Sequence, residues 1–106
     1  MHPTMTSPDP RLHSPSADRN GPPIIDVLAR LLPKEASVLE IASGTGQHAA
    51  LAARTCPGWQ WQPTEAEPSM MASIEAWGQG LAGVKPARHL SVFDRPWPVE
   101  EGAFDL

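Results

Sequence analysis

Glu40 and Glu65 each close a short apolar or aromatic run, and directly after Glu40 the chain passes through Ile41-Ala42-Ser43-Gly44-Thr45-Gly46. Gly44 and Gly46 let the backbone turn sharply and bring its amides close to a ligand with no Cβ in the way. Glu65 follows Gly46 by nineteen residues, near the spacing of about 20 at which a carboxylate reaches a ribose in nucleotide-binding βαβ units. The two oxygens of one carboxylate can accept from two adjacent hydroxyls. Glu40 sits where it repels a pyrophosphate and attracts a cation. A carboxylate at each of two successive strand ends is costly to bury without a purpose. The expected chemistry is a grip on a positively charged nucleoside. His2, His13, His89 and Cys56 show no ligand spacing, so no metal site is expected.

Two ligand classes compete at the loop. Gly44-Thr45-Gly46-Gln47-His48-Ala49 satisfies the dinucleotide pattern G-x-G-x-x-A, so an NAD-binding half stands as one reading. Glu40 favours the other, because S-adenosylmethionine carries an ammonium and a sulfonium where NAD carries a pyrophosphate. Flanking residues leave alternatives open. Asn20, after Arg19, either caps a helix or helps line an active-site mouth. His48 either touches the ligand or packs on its helix. The four tryptophans read as core or loop-covering aromatics, with Trp61 or Trp77 placed to stack on an adenine, and Cys56 reads as a small buried hydrophobe.

The elements that must position these residues alternate in type. Ile24, Ile25, Val27, Leu28, Leu31 and Leu32 recur at helical spacing, which predicts a helix from about Pro22 to Leu32, stopped by Pro33. Residues 37–42 fit a buried parallel strand, residues 47–54 a helix of strong formers, and residues 59–63 a second strand. Met70, Met71, Ile74 and Trp77 share one face of a helix over 69–77. A third strand is expected within 87–93, and Phe104-Asp105-Leu106 reads as the opening of a fourth. The order describes an α/β fold: a partial Rossmann-like, three-layer sandwich, its N-terminal βαβαβ half preceded by a helix. Right-handed crossovers place the glycine loop at the carboxyl edge of the sheet, where such sheets bind ligands.

Composition bounds the rest. The chain has 106 residues, room for one small domain, and a net charge of −4 with no block of Lys or Arg, so no nucleic-acid partner is expected. No run approaches the roughly 20 apolar residues of a membrane span, and the Pro- and Ser-rich start is not a secretory signal. One cysteine suits a reducing compartment, and the cytoplasm is the expected location. Residues 1–15 are expected to form a disordered arm and residues 16–106 the ligand-binding domain.

These residues resemble the methyltransferase-like 26 family, a group of class I S-adenosylmethionine-dependent methyltransferase-fold proteins. The resemblance rests on Ser14-Pro15-Ser16-Ala17-Asp18-Arg19-Asn20, on the stretch from Val38 to Ala49, on Trp61-Gln62-Pro63-Thr64-Glu65, and on Trp97-Pro98 ahead of Phe104-Asp105. It implies that Glu40 and the loop from Ala42 through Ser43, Gly44, Thr45 and Gly46 hold the methionine end of S-adenosyl-L-methionine. Glu65 then takes the ribose and Asp94 the adenine amino group. Ala42 stands where most class I enzymes carry glycine, and Asp94 follows Val92-Phe93 where the family has a Leu-Asp-Val setting. Acceptor-facing groups in such enzymes generally follow the fourth strand. The chain is therefore expected to be the cofactor-binding half of a methyltransferase, inactive alone and marginal in stability for want of a neighbour along strand one. A non-catalytic S-adenosylmethionine-binding module is the alternative.

Overall fold

The computed structural model describes residues 9–93 and 103–106. Helix α1 (Pro15–Leu31) leads into strand β1 (Ala36–Glu40), helix α2 (Gln47–Thr55) and strand β2 (Trp59–Glu65). A single 3-10 turn (Pro68–Met70) then opens helix α3 (Met71–Gly78), and strand β3 (Arg88–His89) follows. The strands pair in the order β1-β2-β3, all parallel. This is the expected α/β arrangement with a leading helix.

Alternation along the two long strands builds the core. Ala36 pairs with Trp59 and Val38 with Trp61, so all four point to one face, where Ile25 of α1 and Ala49 and Ala52 of α2 cover them. The small side chains of Ala49 and Ala52 let that helix settle directly on the two indoles, which stack with centroids 6.4 Å apart. Burying each indole stabilises the fold by on the order of 4 kcal/mol before entropy is counted. Each also has a partner for its N–H: Trp59 donates to the Pro33 carbonyl at 3.0 Å and Trp61 to Glu40 Oε1 at 3.0 Å.

Helix α1 starts seven residues before the expected Pro22. Ser14 is its cap, accepting from the Ala17 amide at 3.2 Å, and Pro15 follows in the first turn. Asp18 adds an acid where the helix dipole favours one. Pro22 and Pro23 therefore lie inside the helix, and Asn20 is an interior residue rather than a cap. Both prolines are exposed, so the carbonyls of Asp18 and Arg19 that lose amide partners reach water. Gly21 is buried where α1 crosses α2; a Cβ there would stand 3.1 Å from Leu51 and 3.3 Å from His48.

Of the segment expected as an arm, residues 1–8 lie outside the described residues, while residues 9–14 are described. The Leu12 amide donates to Ser73 Oγ at 2.9 Å, and its carbonyl accepts from Trp77 Nε1 at 2.8 Å. Arg11 lies over the Trp77 ring, 5.2 Å from its centroid.

Pro63 sits within β2 rather than at its end, and it explains why β3 is short. The Trp61 amide and carbonyl face Gly83 and Lys85, and the ladder resumes only at Thr64 with Arg88. Pro63 offers no amide between them. The buried Gln62 bridges the gap, donating to the carbonyls of Pro63 at 2.9 Å and Pro86 at 2.8 Å. On the other side of the sheet, the Asp105 amide donates to Ser37 O at 2.7 Å, and the Leu39 amide to Leu106 O at 2.9 Å. Residues 105–106 thus lie along β1, as an opening fourth strand should. Among the described residues no helix is long and apolar enough to cross a membrane.

Candidate ligand site at the carboxyl edge of the sheet

The loop between β1 and α2 is built from three left-handed residues: Ala42 (φ 56°), Gly44 (φ 61°) and Gly46 (φ 96°). Ala42 is the non-glycine among them, a conformation that costs an L residue about 1–2 kcal/mol. The positive φ is the physical reason glycine suits that position. Gly46 is also sterically obligatory, since a Cβ there would stand 2.7 Å from the Ile74 Cα. Gly44 differs: nothing lies within 4 Å of where its Cβ would be.

Thr64 and Ser43 anchor this loop to β2. Thr64 Oγ1 donates to the Glu40 carbonyl at 2.6 Å, Thr64 N to Ser43 Oγ at 3.0 Å, and Ser43 N to the Thr64 carbonyl at 2.8 Å. The next residue, Glu65, turns its nearly buried carboxylate under the loop. Its Oε1 accepts from the Gly44 amide at 2.8 Å and its Oε2 from the Glu67 amide at 3.0 Å. Two backbone donors hold the group in place, and each oxygen keeps a lone pair for a further donor.

Glu40 is positioned by other contacts. Its Oε1 takes the Trp61 indole, and its Oε2 lies 3.7 Å from His48 Nδ1. Pairing with Glu40 holds the His48 pKa above the ordinary histidine value, against the burial that pulls it down. Glu40 and His48 border a hollow of about 230 Å³ walled by Ile24, Leu28 and Leu106 among others; Glu65 is not among its walls. Glu40, the Ala42–Gly46 loop, His48 and Glu65 all lie at the carboxyl ends of β1 and β2, but the two carboxylates do not line one hollow: Glu40 borders it and Glu65 holds the Gly44 amide instead.

The remaining expected residues lie on α1, in the core or outside the described residues. Arg19 is exposed on α1, 3.3 Å from Ser16 Oγ, and Asn20 is exposed beside it. Asp94 and Trp97-Pro98 lie outside the described residues. Trp61 is not placed to stack on a ligand, because its register opposite Val38 puts it in the core. Trp77 is committed to Leu12 and Arg11.

Gln47 is the residue sequence reasoning missed. Nearly buried, it accepts from the Ser14 amide at 2.6 Å and from Thr45 Oγ1 at 2.7 Å. It donates to the Ser14 carbonyl at 3.3 Å and to Asp18 Oδ1 at 2.8 Å. Ser73 adds a second staple by donating to the Thr45 carbonyl at 2.6 Å while accepting from Leu12. The segment ahead of α1 is thereby tied to the glycine loop. Gln47→Ala leaves the Ser14 amide unpaired and is expected to destabilise the fold by about 2 kcal/mol. Trypsin cleavage after Arg11 should then accelerate several-fold at native conditions; an unchanged rate would show that Gln47 does not hold the segment.

A family model described as "Protein of unknown function (DUF938)" matches residues 11–105. The chain belongs to the DUF938 family. Two solved structures share the fold of this DUF938 chain. One is YjhP from E. coli, at TM-score 0.56 and 18% identity over 76% of the chain. The other is coclaurine N-methyltransferase bound to N-methylheliamine and SAH, at TM-score 0.59 and 16% identity, again over 76% of the chain. The DUF938 chain covers 31% and 25% of those two proteins. At such identities the likeness establishes the fold, a partial class I methyltransferase-type α/β domain.

Proposed function

We propose that the chain is the S-adenosylmethionine-binding portion of a methyltransferase whose acceptor is unknown. One observation carries this reading most: the Glu65 carboxylate, fixed by the Gly44 and Glu67 amides, lies at the carboxyl edge of β2 beside a glycine turn. That position suits a ribose hydroxyl pair. The fit of such a ligand is supported by the open space at Gly44, which a side chain would fill. Glu40 supplies negative charge on the other flank, suited to an ammonium and a sulfonium. The fold is shared with a methyltransferase whose solved structure holds SAH, and the motif resemblance to the methyltransferase-like 26 family adds to this.

In this reading Glu65 takes the ribose, Glu40 and the Ala42–Gly46 loop the methionine end, and Asp94 the adenine, with Arg19, Asn20 and His48 around the mouth. The sulfonium supplies an activated methyl group. The chain's own residues align and hold rather than transfer protons. Residues 16–106 form the binding unit in a cytoplasmic protein. S-adenosylhomocysteine is expected to bind with micromolar affinity by calorimetry, and NADH not to compete. No heat of binding, or NADH displacing the nucleoside, would overturn the reading. Transfer of labelled methyl from S-adenosylmethionine into a lysate separates an enzyme from a binding module.

A further inference from the structure

His48 stands on the first turn of α2, directly after the residue that staples the loop. Its Nδ1 faces Glu40 Oε2 at 3.7 Å, while the other Glu40 oxygen is engaged by Trp61. The far nitrogen, Nε2, is buried without a hydrogen-bond partner. It lies under α1, where Gly21 leaves just enough room for the imidazole. The Ala17 carbonyl also favours the charged ring, but it makes no hydrogen bond of ordinary geometry to Nε2, so Glu40 is the stronger partner. The groups around it are few. From α1 come Gly21 and the Ala17 carbonyl; Asp18 is already held by Gln47 and His13, and Arg19 by Ser16. From β1 comes Glu40, and from β2 Trp61 reaches Glu40.

A carboxylate with one oxygen given to an indole has limited room for two cations. An imidazolium and a ligand ammonium at the same oxygen also repel each other. We propose that His48 is a positioning residue that gates Glu40 by its proton: charged, it occupies the carboxylate; neutral, it leaves Glu40 to the ammonium end of the bound nucleoside. This rests on the reading of Glu40 as a ligand group.

The sign follows from linkage. Pairing with Glu40 favours the charged imidazole in the folded chain. The stability it adds is fully present below the unfolded value of about 6.5 and fades as pH rises through the folded value. Ligand binding runs the other way. Affinity should rise as His48 loses its proton, and binding should expel that proton to solvent.

The test is calorimetric titration of the chain with S-adenosylhomocysteine at two pH values, alongside NMR titration of the His48 ring. The native chain is expected to bind about tenfold more tightly at about pH 7.5 than at about pH 5.5. His48→Gln, which keeps polarity without titrating, should hold the two affinities within about twofold. The His48 ring should titrate at lower pH when the native chain is saturated with ligand, and also in ligand-free Glu40→Gln. An equal pH dependence in His48→Gln, or a ring titration unmoved by ligand, overturns the gate while leaving the ligand site standing. No binding at either pH overturns both.

Discussion

Gly46→Ala is expected to destabilise the chain by about 3 kcal/mol, the sum of a left-handed alanine and a forced overlap with α3. At φ 96° an L residue is strained whatever the space around it, and here the space is absent. The atom 2.7 Å from the new methyl is the Ile74 Cα, backbone of a helix that cannot swing aside. Either the loop lifts from α3 or α3 shifts, and Ile74, one of the most deeply buried side chains, moves with it. Gly44→Ala is the internal control. Its φ is also positive, yet its surroundings are open, so only the conformational cost of about 1–2 kcal/mol applies. The open space at Gly44 is where the proposed ligand approaches, so Gly44→Ala should weaken S-adenosylhomocysteine binding by more than its stability cost suggests. Urea unfolding of both variants measures the difference as a shift in midpoint at constant slope. Equal destabilisation of the two would mean that the Gly46 contact does not constrain the loop.

The second large effect is expected at Glu65. Glu65→Gln should weaken S-adenosylhomocysteine binding by at least about tenfold, and Glu65→Ala by about a hundredfold, because a charged acceptor contributes roughly 1.5–3 kcal/mol per hydrogen bond. Glutamine retains one carbonyl oxygen for either the Gly44 or the Glu67 amide, but turns an NH₂ toward the other. Two donors then face each other, and the loop loses its set. Alanine leaves both amides without an acceptor and should also reduce stability by about 2 kcal/mol. Glu35→Gln, which changes an exposed carboxylate beside the opposite end of β1, should bind as the native chain does. If Glu65→Gln bound normally, the ribose role would have to move to another group.

Local pattern revealed those parts of the fold in which a single physical signal dominates. The apolar run into β1, the glycine turn and the alanine-rich α2 show in the sequence because burial, turn chemistry and helix propensity agree there, although β1 ends at Glu40 rather than Ala42, which turns left-handed. The start of α1 did not. Pro22-Pro23 satisfies the rule for a first helical turn, but Ser14-Pro15-Ser16-Ala17-Asp18 satisfies it more completely, with a capping hydroxyl and a first-turn acid. Exposure then lets the later prolines ride within the helix. The length of β3 was hidden for a different reason. A strand pattern in 87–93 says nothing of the partner it needs, and Pro63 withholds a donor from that side of the ladder.

In the candidate site the carboxylates and glycines stand out in the sequence, and the residues that support them do not. Glu40 and Glu65 stand out because charge at a buried strand end is costly. Gln47, Thr64 and Ser73 are common polar residues whose roles appear only when distant segments meet: Ser14 and Leu12 reach them across 33 and 61 residues. A polar side chain in the first turn of an otherwise alanine-rich helix was the available sign for Gln47. Trp61 misled in the opposite direction. Proximity in sequence to the ligand edge suggested a stacking surface, whereas strand alternation commits its ring to the core and its N–H to Glu40.

In the proposed function, the turn between β1 and α2, with Glu40 and Glu65 beside it, grips a cationic nucleoside. Amide hydrogen exchange with and without saturating S-adenosylhomocysteine tests it most directly. Added protection is expected at residues 42–48 and 65–67, with little change along α1 beyond its first turn. Protection centred instead on the groove between α3 and residues 84–86, with the glycine turn unaffected, would contradict it.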